Sequence, residues 1–169
     1  MNATNQIALA LLTFVGGAAR VAIATAQVPH SIAAPGEEVV LKVHAEGAQV
    51  YECKASPDAK LAWQLREPIA ILIVDGNTVG RHYAGPTWEL SDGSAIVGKV
   101  VGDAPSTDAN DIPWLKLNVA AQRGNGGLTG VNTVQRINTQ GGKLNGVCDQ
   151  AGKLRAAPYA ADYVFLRKN

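Results

Sequence analysis

Between Val39 and Leu166 the chain is broken by glycine- or proline-bearing turns about every 8–14 residues, and the segments between them favour strands. "VVLKVHAE", "PIAILIV", "AIVGKVV" and "VNTVQRINT" are rich in β-branched residues, which lose side-chain freedom in a helix and pack well on a pleated surface. Segments this short, joined by tight turns, pair antiparallel. Only an all-β architecture buries them together: a single antiparallel β-sandwich or barrel-like domain with many short strands. No internal repeat and no linker appears. One short helix is expected, near Asn110 or Leu128.

Local signals refine this. "VVLKVHAEGAQVYEC" reads as a hairpin turning at Gly47. Side chains alternate along a strand, so Val39, Leu41, Val43 and Ala45 share one face, and Gln49, Tyr51 and Cys53 lie together on the return. "ASPDAK" is a polar loop, followed by a short strand around Trp63. "PIAILIVDGN" reads as a strand buried on both faces and closed by a tight turn at Asp75-Gly76. "TVGRHY" resumes as a strand, which Pro86 breaks. The "SDGS" turn then closes a further hairpin.

The first residues stand apart from this pattern. "IALALLTFVGG", from Ile7, is too short to span a bilayer comfortably. It leads to Ala24-Thr25-Ala26-Gln27, a small-x-small cleavage signature. Residues 1–26 therefore read as a signal peptide and 27–169 as one β-rich domain, despite the absence of an early Lys or Arg. Cleavage after Ala19, or retention as a buried or anchoring helix, are the competing readings. Removal takes Arg20 away, leaving acids and bases equal in number; the full chain carries 15 basic and 14 acidic residues. No basic run is present, which argues against nucleic-acid binding. Nothing in the mature part reads as an integral membrane span. Cys53 and Cys148 are the two cysteines. In an exported domain they pair most simply as one disulfide; two separate buried thiols are the alternative.

Motifs with chemistry are few. "GNGGLTG" gives GxGxxxG rather than the dinucleotide fingerprint, and the β-branched run after it is a poor helix. It reads as a hairpin connection. No GxSxG, SxxK or HExxH occurs. Asp103, Asp108, Asn110 and Asp111 lack the spacing of a calcium loop. His30, His44 and His82 lack the spacing of a metal set, and His44 falls on the charged face with Lys42 and Glu46. No cofactor or metal is expected.

The densest stretch is "GRHYAGPTWELSDGS", Gly80 to Ser94. On a strand, His82 and Tyr83 take opposite faces, and the larger tyrosine is expected in the core. Trp88 and Glu89 also take opposite sides. A structural account makes this a bend anchored by Trp88. A functional account makes it a cleft in which His82, Glu89 and Arg136 surround a floor of Trp88 or Trp114.

Six blocks occur here in one order: "GAQVYEC", "HYAGPTWELSDGS", "DIPWLKL", "VQRINTQGG", "VCDQAG" and "PYAADYVF". Together they resemble the secreted bacterial and fungal proteins of the domain of unknown function 3455 family, over about Val39 to Phe165. Lys116 stands where an aliphatic residue is usual, and Ala160 where threonine is common. The resemblance implies export and a single β-rich domain, and it implies no activity. Dehydrogenase labels on some relatives find no support in the glycine pattern. The blocks contain Cys53 and Cys148, and also His82, Trp88, Glu89, Trp114, Arg136, Asp149 and Tyr159.

The reading that follows is a non-enzymatic binding or envelope module for a small molecule or glycan in the periplasm, cell envelope or medium. Trp88 and Trp114 would stack on the ligand, and His82, Glu89 and Arg136 would orient it. One alternative is a small extracytoplasmic hydrolase or lyase using His82 as base with Glu89 or Asp149 behind it. Another is a purely structural envelope or stress protein.

Overall fold

The structure, a computed structural model, describes residues 28–169; the signal-peptide reading of residues 1–26 lies outside the described residues. A 3-10 turn at His30–Ile32 precedes eight strands: β1 Glu37–Ala55, β2 Leu61–Val74, β3 Asn77–Tyr83, β4 Thr87–Leu90, β5 Ala95–Ala104, β6 Trp114–Arg123, β7 Thr133–Gly141 and β8 Leu154–Lys168. Each strand pairs antiparallel with its sequence neighbours, and β8 pairs with β1 to close the sheet into a barrel. Of the two architectures compatible with the turn spacing, the chain adopts the one that closes the sheet on itself, so that every strand has a partner on each side along at least part of its length.

Closure depends on β1. Its 19 residues pair with β8 along their first part and with β2 along their second, overlapping from His44 to Glu52. A strand this long must coil to stay in a small barrel. Bulges between Val39 and Leu41 and between Val50 and Tyr51 supply local bends.

Three expectations change. Gly47 is not a turn; β1 runs straight through it. Here β1 crosses β2 so closely that a Cβ would collide with the Ile69 carbonyl oxygen and stand 2.6 Å from the Ala70 Cα. The glycine marks a close approach of two backbones. Alternation therefore continues across it, and Val43, Ala45, Gln49, Tyr51 and Cys53 all face inward. Val39 leaves that face because the bulge beside it resets the alternation.

"PIAILIV" is buried on one face only, and it joins the Trp63 segment in a single strand, β2. Ala70 and Leu72 are inside, whereas Ile69 is 57% exposed and Ile71 is also exposed. A one-layer barrel has a single dry side, so an all-apolar strand must turn half its residues to solvent. The Asp75-Gly76 turn forms as read, both residues having positive φ (49° and 77°). The regions around Asn110 and Leu128 are loops, not helices. The 3-10 turn lies elsewhere, with Ile32 packed on Ala104 and Trp114 outside the barrel.

The interior is one apolar cluster that includes Val43, Leu72, Trp88, Ile96, Leu117, Val134, Tyr163 and Phe165. The β6–β7 loop plugs one end of it. Leu128 and Val131 are buried there, and the Gly127 N–H donates to the Asp92 carboxylate at 2.7 Å. "GNGGLTG" is thus an end plug. At the other end Cys53 and Cys148 form a disulfide with their Cα atoms 5.9 Å apart, tying the end of β1 to the β7–β8 loop. Among the described residues, no helix is long and apolar enough to cross a membrane.

Candidate functional site

The β3–β4 hairpin sets the centre of the unplugged end. His82 and Trp88 are direct partners across it, and both side chains enter the barrel. Their rings stack with centroids 4.5 Å apart and planes 12° apart. Tyr163 meets Trp88 edge-on at 5.2 Å, and Phe165 does so at 6.1 Å. Space for the indole comes from Gly98, where a Cβ would stand 2.9 Å from the Trp88 ring and 3.1 Å from Leu117.

The hairpin also settles the state of His82. Its Nδ1 lies 2.8 Å from the Thr87 carbonyl oxygen. A carbonyl only accepts, so the proton sits on Nδ1 and Nε2 keeps its lone pair. Burial pushes the imidazole pKa down to about 4; the nearby Arg136 charge acts in the same direction and the Thr87 bond opposes it. The ring is neutral near pH 7.

Tyr83, expected inside, faces out instead. Its hydroxyl donates to Glu89 at 2.7 Å and accepts from Arg123 at 3.0 Å. Glu89 also takes Arg81 at 3.1 Å and Arg123 at 2.7 Å. The Tyr83 hydrogen bond, followed by the two guanidinium groups, holds the Glu89 carboxyl down at about 2. A tyrosine on this face keeps its hydroxyl paired, whereas the barrel interior at that position is filled by the smaller imidazole. His82 and Glu89 therefore stand on opposite sides of the sheet.

Arg136 enters the same space from β7, between Leu115 on β6 and Tyr163 on β8 in register. Its Nε and Nη2 donate to the Pro113 carbonyl at 3.1 and 2.9 Å. No carboxylate lies within ion-pair distance of it among the described residues. Behind it the Tyr159 and Tyr163 hydroxyls meet at 3.3 Å, and burial raises both phenol pKa values.

Trp114 is elsewhere. Leu115 and Leu117 take the interior positions of β6, which sends Trp114 to the outer face beneath Ile32 and Val28. Lys116, also on that face, donates to the Ala33 carbonyl at 2.8 Å and holds the N-terminal segment against the barrel. Asp149 lies in the exposed β7–β8 loop with Lys153 at 3.3 Å. His44 is on the outer wall with Asp162 at 3.1 Å, and His30 is in the 3-10 turn. Among the described residues, no group of three or more His, Cys, Asp or Glu side chains is placed to hold a metal ion.

A cavity of about 360 Å³ opens between these elements. His82, Trp88, Arg136, Gln49, Tyr163, Leu115 and Leu117 line it, and Leu65, Arg66, Glu67 and Pro68 of β2 form part of its rim. Of the five residues that the sequence reading assigned to a ligand surface, it brings together three: His82, Trp88 and Arg136. Sequence reasoning missed Gln49. Its signal was a long polar side chain on the same strand face as Tyr51 and Cys53, a position that buries an amide. Gln49 Nε2 and Trp88 Nε1 are both buried without a hydrogen-bond acceptor in the protein.

Comparison with known proteins adds one finding. A family profile described as "Protein of unknown function (DUF3455)" matches residues 34–78 and 73–167. No curated protein and no solved structure matches the chain. The match takes in every strand of the barrel and every residue of the cavity, and the chain belongs to that family of proteins of unknown function.

Proposed function

We propose that this protein is an exported, non-enzymatic binding module that takes a small molecule or single sugar unit into the barrel end walled by His82, Trp88, Gln49 and Arg136. One observation carries the reading: two buried donors, Trp88 Nε1 and Gln49 Nε2, lack a protein acceptor and belong to side chains lining one cavity. Leaving such a group unpaired costs about 1–3 kcal/mol each. Both nitrogens are themselves closed to solvent, so a ligand oxygen recovers much of that once the two side chains turn toward the cavity. The cavity has the liquid volume of about a dozen water molecules, and small-molecule sites of this kind are apolar chambers with a few placed polar groups. The disulfide supports an oxidising compartment.

The geometry favours binding over acid–base chemistry. The hydrolase reading asks Glu89 or Asp149 to orient His82. The Nδ1–H that such a carboxylate would take is given to the Thr87 carbonyl, Glu89 is across the sheet, and Asp149 is in an exposed loop with Lys153.

Nitrogen-15 NMR tests the reading. The indole N–H resonances of Trp63, Trp88 and Trp114 are assigned with single Trp→Phe variants. A library of neutral, anionic and cationic fragments is then titrated into the mature chain. Binders are expected to shift the Trp88 resonance most. Binders that move only Trp63 or Trp114, or a library without binders, would overturn it.

A further inference from the structure

We infer that the cavity selects a small amphipathic monocarboxylate, held by the guanidinium of Arg136 with its apolar body against β6. This rests on the binding reading above and names the class of ligand.

Charge comes first. Arg136 lines the cavity inside the barrel, and its Nε and Nη2 donate to a neutral acceptor, the Pro113 carbonyl. An arginine has five N–H donors in a planar fork; Pro113 takes two, the neighbouring Tyr163 hydroxyl is a further neutral partner, and no anion is among them. The acid at the rim, Glu67, is matched by Arg66 in contact at 3.2 Å. Arg136 is therefore the uncompensated charge of the chamber. A half-buried guanidinium without an anion has lost hydration and gained little for it, and a carboxylate is the partner its fork fits.

The number of charges comes next. The other basic group on the wall is His82, neutral near pH 7 with Nε2 as an acceptor. One fixed positive charge matches one negative charge. A phosphate monoester carries close to two, and nothing else in the chamber wall would balance the second. Trp88 and Gln49, side chains of the same wall, each hold a buried N–H without an acceptor; turned toward a ligand, such donors suit a carboxylate, which only accepts.

The rest of the ligand is set by the remaining lining. Leu65, Pro68, Pro86, Val100, Leu115 and Leu117 offer no polar side-chain atom. A polyhydroxylated acid would leave hydroxyls unpaired against them. A short branched or aryl acid would not.

A matched trio tests this: benzoate, benzamide and benzylammonium, titrated into the mature oxidised chain and read at the Trp88 indole N–H and by calorimetry. Benzoate is expected to bind at least about tenfold more tightly than benzamide, because a charged hydrogen bond exceeds a neutral one by about that factor. Benzylammonium is expected to bind most weakly. Arg136→Gln should bring benzoate down to the affinity of benzamide, and Arg136→Lys, which keeps the charge, should retain part of the preference. Equal binding of benzoate and benzamide at Trp88 would overturn the carboxylate inference while leaving the cavity as a binding site. A trio that never moves the Trp88 resonance would overturn both.

Discussion

His82 and Trp88 lie face to face inside the barrel, ring planes 12° apart, while the glutamate next to Trp88 in sequence sits on the outer wall under two arginines. The wall of one sheet thus separates a neutral, buried imidazole from the nearest acid that sequence proximity would have given it. What the imidazole has instead is an aromatic face, a backbone carbonyl and a cavity.

The buried imidazole predicts an acid-labile step in stability. Its pKa is about 4 in the folded chain against an ordinary 6.5 when unfolded. The folded state therefore binds fewer protons. The stability from keeping the ring neutral is present above pH 6.5 and is lost as pH falls toward 4, by roughly 3 kcal/mol over the window. His82→Asn keeps a donor for the Thr87 carbonyl and cannot titrate. Urea unfolding at several pH values should show a shallower decline for this variant, by about that amount. Parallel declines in the two proteins would refute the assignment.

Gly98 predicts how tightly the indole is seated. A side chain there meets the Trp88 ring and Leu117 at 2.9–3.1 Å, so both must shift, and the room they have is the cavity they line. Gly98→Val should cost about 1–3 kcal/mol by overpacking and broaden or shift the Trp88 indole resonance. A variant of native stability with an unmoved resonance would show that the ring has slack.

At Gly47 the obstacle is backbone, since a Cβ would strike the Ile69 carbonyl and Ala70. Gly47→Ala should lower stability by an amount on the order of 1–3 kcal/mol and weaken the β1–β2 ladder. Amide hydrogen exchange should rise first at Ala48 and Ala70. An alanine tolerated there without loss would return the position to a solvent-exposed turn.

The disulfide joins residues 95 apart in sequence. In the chain-entropy account, constraining so long a loop is worth up to about 4–5 kcal/mol, with less usual in practice. The double variant Cys53→Ser, Cys148→Ser should unfold at clearly lower urea. Intact mass of secreted protein should match a chain starting at Gln27 with both sulfurs oxidised. A retained Met1 or two alkylatable thiols would contradict export and the bridge respectively.

Some of the site is legible in the sequence. The Gly80 to Ser94 stretch marks the hairpin, and period-two alternation puts His82 and Tyr83 on opposite faces. Alternation also groups Gln49 with Tyr51 and Cys53. It does not say which group looks inward. Tyr83 was the better core residue by size, yet the Arg81, Glu89 and Arg123 cluster that receives its hydroxyl is built from three separate strands. Likewise, nothing in "DIPWLKL" tells that Leu115 and Leu117 outrank Trp114 for the interior until the 3-10 turn supplies Trp114 with an outer partner.

What local chemistry determined by itself is the strand-and-turn pattern, because turn geometry and strand preference act within a few residues. The Asp75-Gly76 turn needed no other part of the chain. Inside and outside were decided by closure of β8 onto β1, which turned Ile69 to solvent, drove β1 past β2 at Gly47 and gathered Gln49, His82, Trp88 and Arg136 from four separate strands into one chamber. A strand carries two equivalent faces until a curved sheet makes one of them concave, and curvature belongs to all eight strands at once.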